Sequence, residues 1–213
     1  MLLINLAAFL EKSKANGPGS RAVVWVQGCP IHCKECFNPQ MWSFEPQELV
    51  SVRDMAERIL HNRQNITGVT FTGGEPFYQA KALGELGKIL QTNGLNIITF
   101  TGYTLQELQM IGCQNWKKLL AVTDILVAGP FIAKLACNDN LCGSSNQQLI
   151  FLSDQIGIDD DIGVEGANSV EFIIEPDGTL ITTGFPSHGP GNKQHFFPKS
   201  DSTFTGEDRY VSL

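Results

Sequence analysis

Cys29, Cys33 and Cys36 stand in a CxxxCxxC loop, Gly28-Cys29-Pro30-Ile31-His32-Cys33-Lys34-Glu35-Cys36-Phe37-Asn38-Pro39. Thiolates this close repel one another unless a shared metal neutralises them, because a sulfur ligand must be deprotonated. Soft sulfur selects zinc, cuprous copper or an iron–sulfur cluster. A structural zinc site closes with four protein ligands, and His32 or His61 could complete one here. An ordinary four-iron cluster also takes four cysteines. Three thiolates on a four-iron cube leave one iron without a protein ligand, and an open iron is a place for substrate.

A second motif follows. Val69-Thr70-Phe71-Thr72 is β-branched and aromatic, and it ends in Gly73-Gly74-Glu75-Pro76. The run reads as a buried strand and the Gly-Gly-Glu-Pro segment as the turn that leaves it. Glycine lets a ligand approach the backbone, although a glycine pair can also be no more than a tight turn. Glu75 and the bare carbonyls beside it can accept hydrogen bonds from an ammonium group. CxxxCxxC followed by strand-GGEP resembles the radical S-adenosylmethionine (SAM) enzymes. The resemblance implies a [4Fe–4S] cluster held by Cys29, Cys33 and Cys36, with the methionine end of SAM on the open iron. It further implies that Gly73, Gly74 and Glu75 hold the methionine amine, that Glu35 and Phe37 border the adenine, and that Thr101 and Gly102 add SAM contacts.

Other residues narrow the resemblance. Asn16-Gly17-Pro18-Gly19-Ser20-Arg21 leads into the strand before the cysteines, and Cys36-Phe37-Asn38-Pro39 closes the loop. Downstream stand Phe100-Thr101-Gly102-Tyr103, Asp124–Phe131 and Gly143-Ser144-Ser145-Asn146-Gln147. The series is similar to the activating proteins of anaerobic (class III) ribonucleotide reductases over roughly residues 1–152. It departs at Glu35, where that family usually has a small or aromatic residue, and it stops before the last stretch of the chain. The family implies reductive cleavage of SAM to a 5′-deoxyadenosyl radical, which takes hydrogen from a glycine of a partner glycyl-radical enzyme. It also implies a flavodoxin- or ferredoxin-like electron donor. Two alternatives stand beside it: a radical SAM enzyme with a small-molecule or peptide substrate, and a non-catalytic iron–sulfur redox protein.

Positioning these loops requires a scaffold, and the chain length of 213 residues suits one core with an appendage. Leu2–Leu6, Ala22–Gln27, Thr67–Thr72, Ile97–Thr101 and Ile125–Ala128 read as strands. Pro46–His61, Ala80–Thr92 and Leu105–Ile111 read as helices. Repeated βα units argue for a parallel sheet with helical crossovers, whose ligand sites lie at the carboxyl ends of the strands. The expected architecture is α/β, an open partial β/α barrel over residues 1–152. Residues 153–213 read as an acidic linker, a hairpin of Val170–Glu175 and Thr179–Thr183 about Pro176-Asp177-Gly178, and a polar tail. The hairpin could extend the sheet, cover the open side of the barrel or bind a partner, and sheet completion is the simplest of these roles.

Composition excludes more than it selects. A net charge of −7, with only 15 Lys and Arg, argues against nucleic acid as a main partner. No apolar run approaches the roughly 20 residues of a membrane span, and Met1–Leu10 reads as a first strand rather than a signal peptide. Six cysteines with three in one loop do not resemble a disulfide framework, so a reducing cytoplasm is the expected setting. Cys113, Cys137 and Cys142 read as plain thiols, although the last two share a loop and leave a second cluster open.

Overall fold

The computed structural model describes residues 1–139, 141–156, 169–174 and 180–185. The chain begins with β1 (Leu3–Ser13), β2 (Arg21–Val26) and β3 (Glu48–Ser51), then α1 (Val52–His61) and β4 (Gly68–Gly73). Next come α2 (Ala80–Thr92), β5 (Asn96–Thr101), α3 (Leu105–Ile111), α4 (Gln114–Ala121) and β6 (Ile125–Ala128). A short hairpin of β7 (Ala136–Asp139) and β8 (Cys142–Ser144) leads to β9 (Gln148–Phe151), and a second hairpin joins β10 (Val170–Ile174) to β11 (Leu180–Gly184).

Seven strands form one mixed sheet in the order β3-β1-β2-β4-β5-β6-β9. The four central strands β2, β4, β5 and β6 are parallel, while β1, β3 and β9 are antiparallel to their neighbours. The parallel strands are covered on both faces, which is why they read as near-continuous apolar runs. One face packs Ala22, Val24, Val69, Phe71, Ile97 and Leu126 against α1, α2 and α4 through Met55, Ile59, Leu83, Leu86, Leu90 and Leu119. Each of these side chains larger than alanine contributes about 1.5–3 kcal/mol on burial. Gly84 and Gly87 bring α2 close: a Cβ at Gly84 would sit 3.4 Å from Leu119 N, and one at Gly87 would sit 2.6 Å from Val122 Cγ2. The other face carries Val23 and Trp25 with Met41, and Ile98 with Ile125 and Val127. Below them Arg21 is wholly buried, donating to Thr70 Oγ1 (2.9 Å), Val69 O (3.0 Å), Asn96 O (3.2 Å) and Pro18 O (3.2 Å). Burial lowers its pKa to about 9.

Two expectations need correction. The helix expected over Pro46–His61 is a strand followed by a helix. Glu48–Ser51 pairs antiparallel with Leu3–Leu6, so Leu49 faces out and Val50 in. The helix starts only where the Ser51 side chain caps it by accepting from Asp54 N (3.1 Å). Likewise, the C-terminal hairpin does not complete the main sheet but forms a separate two-stranded one. The Pro176-Asp177-Gly178 turn, most of the acidic linker, His188, His195 and the tail lie outside the described residues.

Candidate functional site

The CxxxCxxC loop leaves the carboxyl end of β2, and the Gly-Gly-Glu-Pro turn leaves the carboxyl end of its parallel neighbour β4. Backbone bonds continue that pairing beyond the strands: Gly74 N donates to Val26 O (2.7 Å) and Glu75 N to Gly28 O (2.9 Å). The two motifs are thus stitched together before any ligand is considered. Gly73 has φ +104°, and a Cβ there would strike Val26 and Trp25 backbone; one at Gly74 would strike Gly28 O. Close approach of the chain to itself therefore already explains the glycine pair. On the far side of the loop, Gly28 N bonds Met41 O (2.9 Å) and Cys29 N bonds Trp42 O (3.2 Å).

Glu75 ties this corner to β5. Its Oε1 accepts from Phe77 N (2.9 Å) and Thr101 Oγ1 (2.8 Å), and its Oε2 accepts from Gly102 N (2.9 Å). Of roughly four lone-pair sites on a carboxylate, the protein's own donors therefore use three. Among the described residues no cation faces it, and burial raises its pKa to about 7 despite these bonds. About one acceptor site is therefore left on Glu75 for the expected ammonium contact.

Cys29, Cys33 and Cys36 are free thiols on the wall of one open cavity. Burial raises the pKa of each, and backbone N–H groups lower it again: His32 and Ile31 toward Cys29, Phe131 toward Cys33, Asn38 toward Cys36. The indole Nε1 of Trp42 is buried without an acceptor, yet it stands near enough to Cys36 to favour that thiolate. Desolvated sulfurs ringed by N–H donors, one of them orphaned, suit thiolates whose charge is met by iron. Among the described residues no three His, Cys, Asp or Glu side chains converge on a single metal ion. That geometry does not suit a mononuclear zinc site, whereas the thiolates of a cube bind different irons. His32, offered as a fourth zinc ligand, instead stacks on Trp42 with ring centroids 4.8 Å apart.

The cavity encloses about 150 Å³ and opens to solvent at its mouth. Of the residues predicted for the site, Cys29, Cys33, Cys36, Phe37, Gly73, Gly74, Glu75, Thr101 and Gly102 all line it. Glu35 does not; it is exposed, with φ +61°, so its side chain is not on the cavity wall. Phe37 packs on Phe131 at 4.7 Å. Gln147 closes that side by accepting from Gly143 N (2.8 Å) and donating to Gly129 O (2.9 Å). Sequence reasoning missed the polar lining of Asn16, Asn38 and Thr72, and above all Thr182, Thr183 and Phe185 from β11 and its end. No local pattern marks the last three, because only the packing of the hairpin brings them there. Apart from Glu75 and the cysteines, no ionisable side chain among the described residues lines the cavity. Cys137 and Cys142 lie outside the ring of sulfurs, and their thiols lie 3.7 Å from the carbonyls of Cys142 and Gln147.

The family described as "4Fe-4S single cluster domain" matches residues 15–150. An anaerobic ribonucleoside-triphosphate reductase-activating protein of Vibrio cholerae is 32% identical over 129 residues, which cover 57% of this chain and 80% of the relative. The protein of the same name from Enterobacteria phage T4 is 27% identical over 139 residues, 63% of this chain and 85% of the relative. A pyruvate formate-lyase-activating enzyme of Staphylococcus epidermidis is 36% identical over 101 residues, which span only 40% of its length.

Proposed function

The chain belongs to the 4Fe-4S single cluster domain family and, within it, to the radical SAM activating proteins, and from that premise we propose how its residues divide the work. It is a radical SAM oxidoreductase that installs a glycyl radical on a partner anaerobic ribonucleotide reductase. Its cofactors are a [4Fe–4S] cluster and SAM. Bound and reduced, the cluster supplies the electron that splits SAM into methionine and a 5′-deoxyadenosyl radical, which takes hydrogen from the glycine Cα.

In our reading, Cys29, Cys33 and Cys36 hold the cluster while backbone N–H groups and Trp42 stabilise their charge. The carbonyls of Gly73 and Gly74 receive the methionine amine. Glu75 fixes the turn against Thr101 and Gly102, and Phe37 borders the adenine. The sheet curls as a partial barrel about the cavity, and residues 1–152 form the catalytic unit. A flavodoxin- or ferredoxin-like protein supplies the electron in a reducing cytoplasm. Among the described residues no helix is long and apolar enough to cross a membrane.

The observation that carries the site assignment is the direct backbone bond between Glu75 and Gly28, which puts both motifs on one cavity. The test is anaerobic: reconstitute with iron and sulfide, reduce, add SAM and quantify 5′-deoxyadenosine. We expect product from the native chain and none from Cys33→Ala, which also binds less iron. A Cys33→Ala protein with a full cluster and normal SAM cleavage would overturn the ligand assignment.

A further inference from the structure

The cavity wall is not built by the sheet alone. Thr182, Thr183, Gly184 and Phe185 line it together with the cysteine loop and the glycine turn. They arrive on a hairpin that the main sheet does not pair with, so its seat must be explained by side chains. Asn16 Nδ2 donates to Thr183 Oγ1 (2.8 Å) and to Ser13 Oγ (2.9 Å), and Ser13 Oγ donates to Glu171 Oε2 (2.6 Å). Lys14 N also donates to Glu171 Oε2 (3.2 Å). Ser13 and Asn16 are 0% and 7% exposed, so without the hairpin these polar groups would lose partners that burial demands. Phe185 packs on Phe100 with ring centroids 5.9 Å apart, and Phe185 N bonds Ser169 O (2.9 Å). The hairpin is thus an integral wall rather than a loose appendage.

What this wall offers is a hydroxyl and an aromatic face. Thr182 lines the cavity and is only 6% exposed. A hydroxyl can donate to a peptide carbonyl or accept from a peptide N–H. A glycine-bearing segment presents these groups without a side chain to obstruct them. Resting on the function proposed above, we infer that the β10–β11 hairpin is the substrate wall, and that Thr182 and Phe185 are specificity-determining contacts to the glycine-bearing segment of the reductase.

The test compares the native chain with Thr182→Val, Thr182→Ser and Phe185→Ala, each reconstituted and mixed anaerobically with the reductase. The readout is glycyl radical, by electron paramagnetic resonance, per 5′-deoxyadenosine released. Iron content and thermal midpoint are checked on each protein. The inference expects the ratio to fall about tenfold in Thr182→Val and Phe185→Ala, with the KM for the reductase raised. Thr182→Ser keeps the native ratio. Unchanged ratios in all variants overturn the inference, as does a raised ratio, which would make the hairpin a plug that the partner displaces. A fall in thermal midpoint with an unchanged ratio also overturns it, by leaving the hairpin a structural role alone. If the native chain cleaves SAM but radicalises no reductase, the proposed function fails and takes this wall's substrate with it.

Discussion

At the scale of single residues, two groups have measurable consequences. The Trp42 indole stands buried beside Cys36 with no acceptor. A hydrogen bond to a cluster sulfur stabilises the more negative, reduced state. Trp42→Phe should therefore keep the aromatic stack on His32 but shift the midpoint potential to more negative values in a reductive titration. An unchanged potential at equal iron content would show that the indole does not donate. Glu75 is the second group, with a pKa of about 7 imposed first by burial. Because its folded pKa lies above the unfolded value of 4.5, its proton is held more tightly in the folded chain. Its contribution to stability is full below pH 4.5 and is lost as pH rises through about 7. The cluster-free protein should lose about 3 kcal/mol from this group across that window. Chemical denaturation from pH 4.5 to 8 should show the loss, and Glu75→Gln should flatten it.

At the scale of elements, the close pass between the two motif loops is the sensitive joint. Gly74→Ala places a methyl group against Gly28 O, which should cost about 1–3 kcal/mol and lower iron uptake together with SAM affinity. Equilibrium unfolding and iron analysis would measure both, and an unaffected iron content would separate the turn from the cysteine loop. This joint was legible in the sequence because both motifs are short, local and attached to strands buried on two faces. The strands at Ala22–Gln27, Thr67–Thr72, Ile97–Thr101 and Ile125–Ala128 emerged within a residue of their observed limits for the same reason. β3 was not legible: Leu49, Val50, Met55 and Ile59 fit helical spacing, and four edge residues leave no room for a competing pattern. α4 was missed because only Leu119 is buried in it, so its apolar stripe is too thin to read. The seat of β11 lay beyond any local signal, since Asn16 and Thr183 are 167 positions apart.

At the scale of the whole molecule, those long-range bonds join the connection between β1 and β2 to the β10–β11 hairpin. Asn16→Ala removes the bonds to Thr183 and Ser13 while leaving the central strands untouched. Hydrogen exchange should quicken in the β10–β11 amides and stay unchanged in β2 and β4. Equal acceleration in all four strands would mean that hairpin and sheet open as one unit. The same arrangement sets a clock during synthesis. The cysteine loop leaves the ribosome well before the strand that walls its cavity. At about 5–20 residues per second the delay is roughly 7–30 s. Throughout that interval the nascent sulfurs face a chamber with one side missing, so an assembly factor too bulky for the finished mouth can still deliver iron. Purified, completed protein should therefore take up iron more slowly than nascent chains stalled short of the hairpin, and equal rates would show that the hairpin does not limit entry.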